Sequence, residues 1–151
     1  MKHLPPHLVE ADTVSTAYSG MRAQRIRMNT IANNIANMHT TRGPNGEFAP
    51  FLRKEVLFKA LDINPKKPYN QGVEIQEVLD APNGLRRMYD PAHPEADETG
   101  YRMTPNVKLP LEMANMIEAS RAYEANLRAM KVSGRALKQD VDILAQESAT
   151  L

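Results

Sequence analysis

Apolar residues recur with helical spacing at both ends of the chain and change to alternation in between. From about Ala11 to Met38, Val14, Met21, Met28 and Ile35 repeat every seven residues. Ala17, Ile31 and Met38 interleave with them, and Gln24 is the one polar member. Such columns make a heptad seam, the stripe one helix presents to another. Asp12 or Thr13 can cap its start, and "HTTRGPNG" signals its end.

A second helical zone runs from about Val107 to Ala145. Asn106 can cap it, and Pro110 suits a first turn that has no backbone donors to lose. Leu109, Met116, Tyr123, Met130, Leu137 and Leu144 form one heptad column; Met113, Ser120, Leu127, Gly134 and Val141 form its neighbour. Seams at both ends of one chain pack most simply on each other. A continuous helix over this zone would be roughly 60 Å long, against a radius of gyration of about 15 Å for a compact domain of this size. An elongated molecule is expected.

Residues 43–106 differ. Val56, Phe58 and Ala60 alternate with Glu55, Leu57 and Lys59, a strand pattern. "GVEIQEVLD" and "GLRRMYD" flank "DAPNG", whose Pro, Asn and Gly predict the turn of a β-hairpin. "DPAHPEADETGY" (90–101) reads as an acidic, proline-punctuated loop leading to the second helix. The fold expected is mainly α: long N- and C-terminal helices forming a coiled-coil pair, with a small β-hairpin-containing insert. Its parts are a flexible arm (1–10), an N-terminal axial helix and end segment (11–42), a β-rich insert with the acidic linker loop (43–106), and a C-terminal axial helix and tail (107–151).

The backs of the helices carry the functional signal. At 100° per residue, Ser15, Ser19, Arg22, Ile26, Asn29, Asn33 and Asn37 fall opposite the first seam, and no Asp or Glu occurs from Thr13 to Gly46. That back lacks the mixed acid and base pairs that clothe an exposed helix. Opposite the second seam lie Leu111, Ala114, Ala122, Ala125, Ala129, Val132, Ala136 and Ile143. Alanine alone could reflect helix propensity. Leu111, Val132 and Ile143 on the same face argue instead for burial against another molecule. An asparagine costs about 0.5 kcal/mol against alanine in a helix, so Asn29 and Asn33 suggest uncharged hydrogen bonding to neighbours, whereas Asn37 could simply end the helix. Ile26, Asn29, Asn33 and Asn37 with the eight residues of the second helix are the expected subunit interface. The intrachain seam expected comprises Val14, Met21, Met28, Ile31, Ile35, Met113, Met116, Tyr123, Leu127, Met130, Leu137, Val141 and Leu144.

Composition narrows the chemistry. An apolar fraction of 42% in 151 residues suffices for one core, while a net charge of +1 with no Trp gives no field or ring set for nucleic acid. Without cysteine, disulfides and thiolate metal sites are excluded. No cleavable signal and no run near 20 apolar residues is evident, so direct membrane insertion is not expected. "HPEAD" offers His93, Glu95 and Asp97, but one histidine in a proline loop makes a poor metal site. No triad context and no phosphate loop occurs. No enzyme activity, cofactor or metal is expected.

"STAYSGMRAQRIRMNTIANNIANMHTTRGPNGEFAPFLRKEVLF" resembles the N-terminal signature of the bacterial flagellar axial proteins of rod and hook, and "MYDPAHPEADETGYRMTPNV" and "EMANMIEASRAYEANLRAMKVS" extend the likeness to about Ser15–Leu144. The short middle and the acidic loop are similar to a proximal rod member. "MKHLPPHLVEAD" and "AQESATL" look additional, and Pro110 is unusual at that helix start. The resemblance implies a structural subunit of the basal-body rod, which crosses the periplasm, transmits torque to the hook and supports motility. It implies helical assembly with copies of itself and with other proximal, distal and rod-base proteins. It also implies export without a cleaved signal peptide by the flagellar type III apparatus, with terminal helices that order on stacking. A soluble coiled-coil adaptor or chaperone of that export system is the alternative.

Overall fold

The computed structural model describes the backbone of residues 6–62 and 71–148. Its elements run α1 (Pro6–Ala36), β1 (Lys54–Asp62), β2 (Gln71–Asp80), β3 (Leu85–Tyr89), β4 (Tyr101–Pro105) and α2 (Leu109–Ser148). Two long helices bracket an insert of two two-stranded sheets, β1 with β2 and β3 with β4. α1 begins earlier than the capping pattern predicts, so Asp12 and Thr13 lie inside it and residues 6–10 of the expected arm are helical. Residues 1–5 and 149–151, parts of the expected arm and tail, lie outside the described residues.

The chain divides into two compact units, one of Met1–Arg25, Phe58–Ile75 and Ala119–Leu151, the other of Ile26–Leu57 and Gln76–Glu118. In the first, Ala17, Met21, Ala23 and Ala119 are buried. Gly20 of α1 lies so close to α2 that an added Cβ would stand 2.7 Å from Nδ2 of Asn126. Only glycine permits that approach without moving the asparagine. The Ser19 hydroxyl donates to the carbonyl of Thr16 at 2.7 Å and accepts the backbone N–H of Val73 at 3.1 Å, tying β2 to α1.

In the second unit, Ile31 and Val107 are buried. Arg27 pairs with Glu118 at 3.1 Å, and Asn34 reaches Glu112 at 3.4 Å. Moving forward on α1 therefore means moving back on α2, so the helices run antiparallel there. The β3–β4 ladder is antiparallel, from Leu85 opposite Pro105 to Tyr89 opposite Tyr101.

The hairpin predicted across "DAPNG" does not form. The turn does, closed by the Gly84 N–H on the Ala81 carbonyl at 2.9 Å, but its flanks pair elsewhere. Ala81 N–H donates to the Arg53 carbonyl at 2.7 Å and Asn106 N–H to the Gly84 carbonyl at 2.8 Å. The turn thus passes the chain from the β1–β2 ladder to the β3–β4 ladder. Strand length explains the choice: the ten residues of β2 match the nine of β1, while β3 has only five. The acidic loop accordingly leads into β4, a strand that alternation did not predict, before α2 begins. Asn106 does not cap α2, since its amide donates to the Asn83 carbonyl at 2.9 Å and the first helical bond runs from Glu112 N–H to the Lys108 carbonyl at 3.0 Å.

Candidate assembly surface

The end of α1 is fixed by polar groups that are almost wholly buried. Asn34, 1% exposed, donates through Nδ2 to the Lys54 carbonyl and accepts the Lys54 N–H at Oδ1, both at 2.8 Å. A side-chain amide can satisfy a strand residue's donor and acceptor together because it carries both functions in one plane. The same Nδ2 faces Oε2 of Glu112, also 1% exposed, whose Oε1 accepts from Nε of Arg53 at 2.9 Å. Arg53 also pairs with Glu55. Burial opposes the Arg53 charge, but its bonds to Glu112 and Glu55 and their negative charges hold the guanidinium pKa above its ordinary value. Each buried charge has a partner, as burial of ions requires. The cluster locks helix, strand and second helix into one register within its unit. In the chain's pattern Asn34 stands at the edge of the first seam; for the others, a single Glu in register with Met116 and Ala119, and an Arg in "FLRKE", are the available signals.

With Asn34 turned inward, the neighbouring asparagines separate by role. Asn29 and Asn33 are exposed, and their side-chain amides have no hydrogen-bond partner among the described residues. Asn37 serves the helix end: Nδ2 donates to the Asn33 carbonyl at 2.9 Å, and Oδ1 accepts from the Thr40 hydroxyl at 3.2 Å. Ile26 is half-buried, and Ser19, also on the back face, is buried beneath β2. Met21 and Ile31 are buried, and Val14, Met28 and Ile35 half-buried.

On α2 the inward stripe differs from the predicted pair of columns. Met116, Tyr123, Met130 and Leu137 do turn inward, but the column beside them is Glu112, Ala119, Asn126, Ser133 and Asp140, each buried or half-buried. Met113 and Val141, expected on the seam, are 53% and 55% exposed. Leu127 is half-buried, and the Leu144 side chain lies outside the described residues. Small and polar residues take the inner column for two reasons. They allow the close contact at Gly20, and Glu112 is drawn in by Arg53 and Asn34, which rotates Met113 outward. Leu111, Val132 and Ile143 are 52%, 65% and 55% exposed, with Ile117 at 53% beside them. Ala114, Ala125 and Ala129 are exposed; Ala122 and Ala136, assigned to the same face, are half-buried on the flank of the stripe. An α2 so clothed leaves large apolar side chains in water on a helix that is otherwise well partnered, a pattern typical of protein interfaces.

The loop between β3 and β4 is held by its acids. Asp97 accepts from the Thr99 hydroxyl at 2.6 Å and from the backbone N–H groups of Thr99 and Tyr101, each at 2.9 Å, and pairs with Arg87 at 3.1 Å. The Thr99 hydroxyl bond, then the Tyr101 N–H, lower its pKa to about 2. Glu95 is lowered by its bond from the Thr41 hydroxyl and by Arg42, which it meets at 2.7 Å. His93 Nδ1 accepts the Glu95 N–H at 3.1 Å. The "HPEAD" side chains are thus engaged in holding the loop. No helix among the described residues is long and apolar enough to cross a membrane.

The family described as "Flagella basal body rod protein" matches residues 15–44, and that described as "Flagellar basal body rod FlgEFG protein C-terminal" matches residues 98–140. The chain is 37% identical over 147 residues to the flagellar basal-body rod protein FlgC of Borreliella burgdorferi, covering 87% of this chain and 95% of that one. The chain belongs to the FlgC family. FlgC of Aquifex aeolicus is 43% identical over 115 residues, 76% of this chain and 82% of its own. FlgC of Bacillus subtilis is 31% identical over 143 residues, 87% and 95% respectively. The first family match spans the asparagine stripe of α1, and the second spans the end of the β3–β4 loop, β4 and most of α2. Apart from Val141 and Ile143, the outward faces described above lie within the segments that these two family models match.

Proposed function

We propose that this chain is a structural subunit of the flagellar basal-body rod, in its proximal part, assembling helically with copies of itself and with other rod proteins. FlgC family membership carries this reading. The helices pair as a coiled coil, and the faces they leave outward are its subunit contacts: Asn29 and Asn33 on α1, and Leu111, Ala114, Ala125, Ala129, Val132 and Ile143 on α2. Apolar burial on stacking supplies the driving force, at about 25 cal/mol per Å² of apolar surface removed from water. The asparagine amides fix register, since they would be left unpaired in a misaligned contact. Torque passes through many modest contacts spread along both helices as the rod turns between the motor and the hook. The chain reaches the periplasm through the flagellar export apparatus and acts without cofactor or catalysis. The alternative of a soluble export adaptor gains nothing from the family match.

The test is a pair of surface substitutions. Asn33→Asp and Ala125→Glu each place a charge on an exposed, unpartnered position, so the free chain keeps its fold. Each variant is expected in the exported fraction at parental level, with loss of rod assembly and of swimming. Normal swimming by both would contradict the assignment of these faces.

A further inference from the structure

In the first unit the outward face of α2 is centred on charge. Seven-residue spacing puts Arg121, Arg128 and Arg135 in one column, opposite the two inward columns, and Glu124, Lys131 and Lys138 in the column beside it. The same rotation that carries Met113 outward brings the arginines to the middle of the exposed face. All six side chains are exposed. Glu124 pairs with Arg128 at 3.5 Å, while Arg121, Lys131, Arg135 and Lys138 have neither ion pair nor hydrogen bond among the described residues. Arg128, Lys131, Arg135 and Lys138 follow at steps of three and four, the spacing at which like charges weaken a helix. The free chain gains nothing from that arrangement. From Arg121 to Lys138 the stripe extends about 25 Å at the helical rise. Small or apolar residues border it, Leu127 and Gly134 on one side, Ala125 and Val132 on the other.

We propose that this stripe docks a helix of a different chain, one whose facing column carries a carboxylate at every seventh residue, an inference that rests on the reading as a rod subunit. Cations that repeat at seven beside apolar flanks are what one helix presents to another in a coiled coil, where such charges choose the partner. A flat anionic surface such as lipid requires no repeat. A second copy of this chain is the wrong occupant. In α1 and α2 together, Asp140 and Glu147 are the only carboxylates seven residues apart, and Asp140 belongs to the inward column. α1 of another copy would bring the exposed Arg22 and Arg25 against the stripe, with no acid from Thr13 to Gly46 to offset them. Like charges set opposite each other reject that pairing, and an acidic column is selected instead.

Arg135→Glu separates the contact from the helix itself. Between Lys131 and Lys138 the new carboxylate gains opposite charges at steps of four and three, so circular dichroism should show helix content at or above the parent's. Incorporation into detergent-extracted basal bodies should nevertheless fall about tenfold, as a like-charge contact requires. Arg135→Lys keeps the charge and should incorporate within about twofold of the parent. A benzophenone amino acid in place of Gln139, exposed on the flank of the stripe, identifies the occupant by crosslinking within those particles. The expected product joins this chain to a helical segment of another rod protein with acids seven residues apart. Because the crosslink is made on the unreversed stripe, it decides the matter even if a charge variant loses helix. Normal incorporation of Arg135→Glu, Arg135→Lys as defective as Arg135→Glu, or no crosslink overturns the pairing, as does a crosslink to a second copy, to lipid or to a segment without that repeat; the rod reading then stands. Absence of the parent chain from basal bodies would overturn both.

Discussion

Asn34 shows how one side chain can settle the register of three elements. It satisfies both backbone groups of Lys54 and faces the buried Glu112, with its own amide almost wholly out of water. Asn34→Ala leaves a buried donor and acceptor unpaired, and that class of change costs about 1–3 kcal/mol per group. Chemical denaturation should show the loss, whereas Asn33→Ala, at an exposed and unpartnered amide, should cost little. Equal effects would mean that the buried bonds contribute nothing. Asp97 makes a separate prediction on pH. Its folded pKa is about 2 against an unfolded value of about 3.9, so its stabilisation is fully present above the unfolded value. It is lost as pH falls through the folded one. The Thr99 and Tyr101 amide resonances should shift with a midpoint near the folded value, and Asp97→Asn should abolish the transition. A midpoint near the unfolded value would show that the loop bonds do not hold. Gly100 joins this turn with φ of 78° and an added Cβ 2.9 Å from the Tyr89 ring, so no other residue fits there without strain.

The helices were legible in the chain because their period extends over many turns, and Met116, Tyr123, Met130 and Leu137 turn inward as their spacing indicates. The neighbouring column was not. Heptad spacing permits a step of three or of four from Met116, and the apolar Met113, Leu127 and Val141 favour their column over that of Glu112, Asn126 and Asp140. Close approach at Gly20 and the pull on Glu112 select the small, polar column instead. Neither cause is visible in a single helix's pattern, because each depends on a residue distant in sequence. The hairpin failed for a related reason: "DAPNG" specifies a turn, but the partners of its flanks are set by strand lengths. Gly134 provides a test at this scale. Nothing lies within 4 Å of a Cβ added there, so Gly134→Ala should stabilise the free helix by about 1 kcal/mol. If the open notch receives a neighbouring subunit, the same substitution should reduce assembly. Higher stability with unchanged assembly would place Gly134 outside the contact.

For the molecule as a whole, the polar interior and the apolar exterior of α2 belong together. By giving the inner column to Ala119, Asn126 and Ser133, the chain keeps Leu111, Met113, Ile117, Val132, Val141 and Ile143 outward. A monomer designed only to be stable would bury them; a subunit designed to stack leaves them for its neighbours. α1 contributes a complementary surface that carries arginines and asparagines and no acid over most of its length. Family membership makes the chain a rod protein, the proposed reading makes these faces its subunit contacts, and direct recovery of the assembled particle is the decisive observation. Basal bodies extracted with detergent from cells producing this chain should contain it at a fixed ratio to the other rod proteins, and cells lacking it should yield particles without a hook. Finding it only in the soluble fraction, with intact rods assembled in its absence, would contradict the reading.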